Sequence, residues 1–368
     1  MNQPTTTTTT SSSLPILAKK VKKVAASKLQ KLKLLLTGES GFSKFKKAYK
    51  LRGELGKGGF GVVYRAVRRS DNTLVAVKFV EKKNVKEWAT LNDQQVPMEI
   101  YMLSVCSTIP GVIRLIDWYT IPDGFLIVME RPYPCIDMFD FVKGQGKLSE
   151  DMAHFLFRQI AQTVQGCMQN KVLHRDVKDE NVVIDLKTGL TKLIDFGAAT
   201  ELHNEQYYNF QGTIICSPPE WLLNRQYLGE EATVWSLGVL LYTALNGRLP
   251  FQTVEKICSP LAVDSLRYFA PLGKEVDDLI RSCLMFEPEQ RCTLDEILEH
   301  SWVKAEPMQW KEFTKKMAQN VMENDSKKAP EKPRPMVKKP VSMSSSQQSL
   351  YARRRGNKEN LTLKICMG

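Results

Sequence analysis

The chain of 368 residues predicts an α+β protein in two lobes, a mostly β N-terminal lobe followed by a mostly α C-terminal lobe. Three observations carry that expectation. Between residues 49 and about 129 the apolar residues come in short, strand-like runs (74–80, 112–118 and 125–129), interrupted by one helical stretch around Glu99. From Ile136 onward they recur at helical intervals over 152–169, 234–246 and 276–286. A hydrophobic fraction of 43% is enough to fill cores of both kinds.

Taken in order, the strand-rich part begins with Gly56-Lys57-Gly58-Gly59-Phe60-Gly61-Val62-Val63. This is a glycine-rich hairpin whose missing side chains let backbone N–H groups approach an anion. Alone, such a match is more often an ordinary glycine-rich turn. Val75-Ala76-Val77-Lys78 follows, an apolar strand ending in a lysine, and then Val96-Pro97-Met98-Glu99-Ile100. Within the helical part stand His174-Arg175-Asp176-Val177-Lys178-Asp179-Glu180-Asn181 and, further on, Asp195-Phe196-Gly197. Apolar residues at 182–184 and 193–194 flank a Lys187-Thr188-Gly189 turn, a hairpin pattern that would carry Asn181 and Asp195 rigidly to one site. That spacing suits phosphoryl transfer. Asp176 would accept or orient an attacking hydroxyl, while Asn181 and Asp195 would hold two magnesium ions bridging nucleotide phosphates. A lone His-Arg-Asp triplet would mean little, because a buried carboxylate beside an arginine is more often structural.

Together and in this order the motifs resemble the eukaryotic protein kinase family over roughly residues 49–304. Glu130-Arg131-Pro132-Tyr133-Pro134, Asp179-Glu180 and Ser217-Pro218-Pro219-Glu220-Trp221 are similar to the Pim branch of serine/threonine kinases. So is Thr233 before Val234-Trp235-Ser236, where most kinases carry an aspartate; the catalytic loop is therefore expected to be braced by other contacts.

The resemblance implies a bilobal protein-kinase fold, with an N-lobe at about 49–129, a hinge at 130–134 and a C-lobe at about 135–304. It implies ATP and Mg2+ as cofactors and nucleotide contacts at Gly56, Gly58, Gly61, Val63, Ala76, Lys78 and Glu130. Lys78 should pair with Glu99 and Glu220 with Arg291. Asp176 and Lys178 should serve catalysis with Thr213 bridging them, and Asn181 and Asp195 should bind metal. Lys178 two residues after Asp176 implies a serine or threonine acceptor. Pro132, lacking an N–H, implies one hydrogen bond fewer to adenine. Asp137, Asp140, Asp179 and Glu180 are the expected contacts for arginine before the acceptor. Thr243 and Arg248 stand where the family has acidic residues, which predicts a weaker preference for more distant basic residues. None of Thr200, Tyr207, Tyr208 and Thr213 in the activation segment is flanked by basic residues, and constitutive activity is expected. The competing reading is an inactive pseudokinase scaffold, against which stand Lys78, Asp176, Asn181 and Asp195, all present.

The formal net charge of +12 is unevenly placed, with +10 in residues 1–50 and +9 in 326–368, which leaves −7 for residues 51–325. An acidic core favours protein substrates with basic segments and argues against sequence-specific nucleic-acid binding. Residues 1–48 read as a low-complexity, basic tail, with Val21, Ala25, Leu29, Leu32 and Leu36 at the spacing of an amphipathic helix. A solvated flank, nuclear import and peripheral contact with an anionic membrane all remain open for it. Residues 305–368 read as a largely disordered basic extension in which Arg353-Arg354-Arg355 is a solvated charge run or a localisation patch. Eight scattered cysteines without a Cys-x-x-Cys pair or a signal peptide predict reduced thiols in the cytoplasm or nucleus, a monomer is expected, and no apolar run is long enough to span a bilayer.

Overall fold

The computed structural model describes residues 40–58 and 61–315; the basic segment at 19–36, Gly59, Phe60 and the tail beyond 315 lie outside the described residues. The described residues fall into two compact units, one of those up to Ile100 with Leu115–Arg131 and the other of Tyr101–Arg114 with those from Pro132.

The first unit is built on an antiparallel sheet of five strands in the order β1-β2-β3-β7-β6. These are β1 (Tyr49–Gly58), β2 (Gly61–Arg68), β3 (Leu74–Glu81), β6 (Leu115–Ile121) and β7 (Gly124–Glu130). Strand alternation divides its residues between two faces. Tyr64, Ala66, Val75, Val77, Phe79, Leu126 and Val128 lie in one buried cluster. On the other face, Lys78 stands opposite Val63 and Ile127, and Ala76 opposite Met129. A short hairpin, β4 (Trp88–Leu91) with β5 (Gln94–Pro97), turns through Asn92 and Asp93, both at positive φ, and leads into α2 (Met98–Val105), the helical stretch expected around Glu99.

Helix α1 (Ser40–Ala48) precedes the boundary predicted at residue 49 and covers the buried face of the sheet. Phe42, Phe45 and Tyr49 are all buried, whereas Lys44, Lys46 and Lys47 are exposed. Phe45 stacks on Tyr49 at 5.6 Å and meets Tyr119 of β6 edge-on at 5.5 Å.

In the second unit the helices dominate, as expected. Helix α4 (Glu150–Gln169) begins at a Ser149 cap and α6 (Gly229–Asn246) buries 14 of its 18 residues, so it is a core helix rather than a surface one. Helix α8 (Lys274–Cys283) packs on α6 through Val276, Leu279, Ile280 and Cys283. Between β8 (Cys135–Asp137) and β11 (Thr191–Leu193) runs β10 (Val182–Asp185), making the predicted hairpin around Lys187-Thr188-Gly189 the edge of a three-stranded sheet. Gly189 at φ 74° is needed twice: a Cβ there would also sit 2.4 Å from the Trp310 ring.

That tryptophan extends the core past residue 304, where the sequence predicted a disordered extension. Trp310 stacks on Phe155 of α4 at 5.9 Å and donates its Nε1–H to Leu186 O (3.2 Å), and Phe313 is buried beside it. Truncating a buried aromatic costs about 3–5 kcal/mol. Phe45→Ala and Trp310→Ala should each lower stability by about that amount in thermal or urea unfolding of the full chain. Wild-type stability in either variant would show that the segment is not part of the folded unit.

Candidate active site

Each unit carries part of the predicted set. In the first, Lys78 Nζ lies 2.6 Å from Glu99 Oε1 and both side chains are buried. Lys78 sits on the face of β3 that also presents Ala76, with Val63 opposite on β2. Gly56 and Gly58 belong to β1, with Gly58 opposite Gly61 at the hairpin end. A Cβ on Gly61 would come 2.4 Å from Phe79 O, so this position takes glycine for packing as well as for its φ of 153°. At Gly56 a Cβ would meet nothing within 4 Å, leaving space for an anion to approach the backbone. Glu130 closes β7 opposite Val75.

In the second unit the catalytic residues are held by one another. His174 accepts from Asp176 N–H at Nδ1 (3.3 Å), so Nε2 carries the proton and donates it to Ile194 O (3.0 Å). Burial lowers the ring's pKa and keeps it neutral, and Phe196 packs edge-on against it at 4.8 Å. Arg175 donates Nε–H to Ala198 O (2.5 Å), and the Asn181 amide donates both to Asp176 O and to Asp176 Oδ2, each at 2.8 Å. These contacts brace the loop without Thr233, whose own hydroxyl donates to Gly229 O within α6.

Lys178 Nζ stands 3.0 Å from Asp176 Oδ2 and donates to Thr213 Oγ1 at 3.2 Å, which is the bridge the sequence predicted. Burial opposes its charge, but Asp176, with a contribution from Glu180, outweighs that and holds its pKa above the usual lysine value. Asp195 takes a left-handed backbone conformation (φ 60°, ψ 73°) and its Oδ1 accepts from Gly197 N–H at 3.3 Å.

The donor set fits magnesium. Asn181 spends its N–H groups on Asp176, which leaves its carbonyl oxygen for a cation, and Asp195 supplies a carboxylate. Among the described residues no three His, Cys, Asp or Glu side chains form a ready-made cage. Magnesium suits such a sparse set, because it keeps several waters and takes one or two carboxylates together with substrate phosphates. When bound, it supplies positive charge against the phosphate oxygens.

The four acids expected to read arginine are neighbours with unequal freedom. Asp137 caps α3 (Met138–Gln145), accepting from Asp140 N–H at 2.7 Å, and its pKa is raised by burial and then by the charges of Asp140 and Glu180. Asp179 is pushed up to about 7 by burial, then by a hydrogen bond and repulsion from Glu180. Glu180 and Asp140 are exposed. Thr243 turns its hydroxyl back to Val239 O, and the Arg248 guanidinium lies 3.6 Å over the Phe269 ring.

At the end of the activation segment, Glu220 receives two bonds from Arg291, at 2.8 and 2.6 Å, and both residues are buried. Arg291 also donates to Met285 O, Phe286 O and Glu231 O. The motifs locate the pair; the three carbonyls that complete its cradle carry no side-chain signature and were not foreseen.

A buried Lys–Glu pair and a loop joining Asp176, Asn181 and Asp195 define an enzyme built for phosphoryl transfer. Residues 49–303 match the protein kinase domain, and the chain belongs to the protein kinase family; it is a protein serine/threonine kinase. It is 65% identical over 301 residues to the serine/threonine-protein kinase prk-2 of Caenorhabditis elegans, covering 81% of this chain and 68% of that protein. It is 37% identical over 292 residues to the serine/threonine-protein kinase pim-2 of Danio rerio, covering 77% of this chain and 93% of that one. A PAS domain-containing serine/threonine-protein kinase of Mus musculus shares 36% over 253 residues, 68% of this chain and 18% of its own.

Removing one member of a buried ion pair strands the other and costs about 3–5 kcal/mol. Lys78→Met should therefore lose activity and melt lower, because Glu99 is left buried. Lys78→Met with Glu99→Gln should recover much of the melting temperature and none of the activity. If the double variant melts no higher than the single, the pair does not have this role.

Proposed function

We propose that this kinase transfers phosphate from magnesium-bound ATP to serine or threonine without prior phosphorylation of its own activation segment, and that it prefers arginine shortly before the acceptor. The observation that carries the reading is how the segment from Asp195 to Glu220 is pinned. Tyr207 and Tyr227 exchange two backbone hydrogen bonds (2.8 and 3.2 Å) and stack at 5.3 Å. The Tyr207 hydroxyl donates to Glu201 O and accepts from His203 N–H, and the ring itself is buried. Phe210 stacks on Trp221, which meets Tyr227 edge-on at 5.9 Å. An aromatic ladder thus fixes the path that a phosphate and its arginines would otherwise have to order.

Within such a site Asp176 orients the acceptor hydroxyl, and Lys178, charged and 3.0 Å from Asp176, faces the transferred group. The Thr213 contact keeps Lys178 in that position. Substrate selection follows from the acids that remain available. Asp137 is engaged as a helix cap and Asp179 is partly buried, so the exposed Glu180 and Asp140 are the acids best placed to make charge-assisted bonds to a guanidinium. Arg248 replaces attraction with repulsion for more distant basic residues, in keeping with the departure of this chain from the family's acidic pattern at Thr243 and Arg248.

A peptide library phosphorylated with Mg-ATP by unphosphorylated full-length protein tests this, with Asp195→Asn as the inactive control. The wild type should phosphorylate serine and threonine peptides with arginine near the acceptor, and Asp195→Asn none. Glu180→Ala should lose the arginine selection and Arg248→Asp should extend it to more distant positions. Equal phosphorylation of basic and acidic peptides, or activity that appears only after the segment is phosphorylated, contradicts the proposal.

A further inference from the structure

Two pairs of cysteines lie side by side among the described residues. Cys106 and Cys167, 3.9 Å apart at sulfur, are both sealed in the core. Cys283 and Cys292 are 3.6 Å apart and differ in access: Cys283 is fully buried at the end of α8, whereas Cys292 is only partly buried. The two chain segments are already registered, because Cys292 N–H donates to Ser282 O at 3.3 Å. Ser282 Oγ also lies 3.5 Å from Cys292 Sγ. Solvent reaches Cys292 and not Cys283, so Cys292 is the sulfur a hydroperoxide meets first and Cys283, in contact with it, is the partner that resolves it.

The position of the pair gives it a consequence. Arg291, next to Cys292, grips Glu220 at the end of the activation segment and also donates to Met285 O and Phe286 O. Arg291 and two of the three carbonyls it donates to, Met285 O and Phe286 O, belong to the stretch from Cys283 to Cys292; the third, Glu231 O, lies in α6. We propose that Cys283 and Cys292 are an oxidisable dithiol, a modification site at which a hydroperoxide forms an intramolecular disulfide that fastens the loop holding Arg291 against Glu220.

In chemical terms, the Cys292 thiolate attacks one peroxide oxygen, the O–O bond breaks, and the departing oxygen takes a proton and leaves as an alcohol or water. The resulting sulfenic acid is attacked by the Cys283 sulfur; the S–O bond breaks, and its hydroxyl leaves with the Cys283 proton as a second water. Two thiols lose two electrons and one hydroperoxide gains them. Contact between the sulfurs favours closure over further oxidation of Cys292, and the cross-link removes freedom from the unfolded chain.

Tryptic mapping of the full-length protein after treatment with hydrogen peroxide, under non-reducing conditions, reads the site directly. Cleavage after Arg281, Arg291 and Lys304 places the two cysteines in separate peptides, 282–291 and 292–304. The expected result is a linked pair two hydrogens lighter than the sum of its parts and separated by dithiothreitol, with Cys106 and Cys167 still reduced. The melting temperature should rise by about 3–8 °C on oxidation. Cys292→Ser should show neither the linked pair nor the rise, and the oxidised wild type should still phosphorylate peptide. The proposal is overturned if no linked pair forms, if Cys292 proceeds to sulfinic acid while Cys283 stays a thiol, if Cys106 and Cys167 link first, or if the disulfide forms without a rise in melting temperature.

Discussion

The Asn181 side chain holds Asp176 at two points, its backbone carbonyl and its carboxylate, both at 2.8 Å, and the rest of the C-terminal unit is arranged so that this can happen. A catalytic carboxylate must keep its direction when a substrate hydroxyl arrives, and a side chain free to rotate would lose that direction. Asn181 gains its own position from the start of β10, whose pairing with β11 and β8 is closed at the far end by the Gly189 turn and by Trp310. His174 completes the frame from the other side, since one ring nitrogen takes the Asp176 N–H and the other gives its proton to Ile194 O, one residue before Asp195. Asp176, Asn181 and the hairpin that leads on to Asp195 are thus tied together by hydrogen bonds.

Arg291 and Glu220 apply the same logic to the activation segment. A buried pair gains little over well-packed apolar residues, but losing either partner leaves a charge in the core. Here the charge is well placed: Arg291 has both carboxylate oxygens and three backbone carbonyls to donate to, and lies 5.0 Å from the Trp235 ring. The pair fixes the far end of the segment as the Tyr207 and Tyr227 ladder fixes its middle.

Much of this was legible in the sequence because phosphoryl transfer needs particular groups at particular spacings. The β10–β11 hairpin, the Lys78–Glu99 and Arg291–Glu220 pairs and the Lys178–Thr213 contact stand where the motifs placed them. Packing was harder to see. Phe42, Phe45 and Tyr49 fall on one helical face, yet the lysines between them make α1 read as part of a basic tail. Trp310 and Phe313 likewise give only two apolar positions before a polar tail, too few for a periodicity to register. The Asn92-Asp93 turn of β4–β5 did carry a hairpin signal in its two residues at positive φ, but short flanking strands with exposed positions masked it. For Asp137 and Asp179 the sequence showed charge without showing burial, and so could not distinguish a helix cap and a partly protonated acid from the exposed Glu180.

The central claim is that Asn181 serves the reaction as much by bracing Asp176 as by holding metal. Steady-state kinetics of Asn181→Asp over a range of magnesium concentrations separates the two roles, because the aspartate keeps an oxygen for the cation but replaces both N–H donors with an acceptor facing the Asp176 carboxylate. With the brace gone, kcat should fall by about the 10²- to 10⁴-fold that a positioned general base contributes, and excess magnesium should not restore it. A kcat near that of the wild type at saturating magnesium would contradict the account.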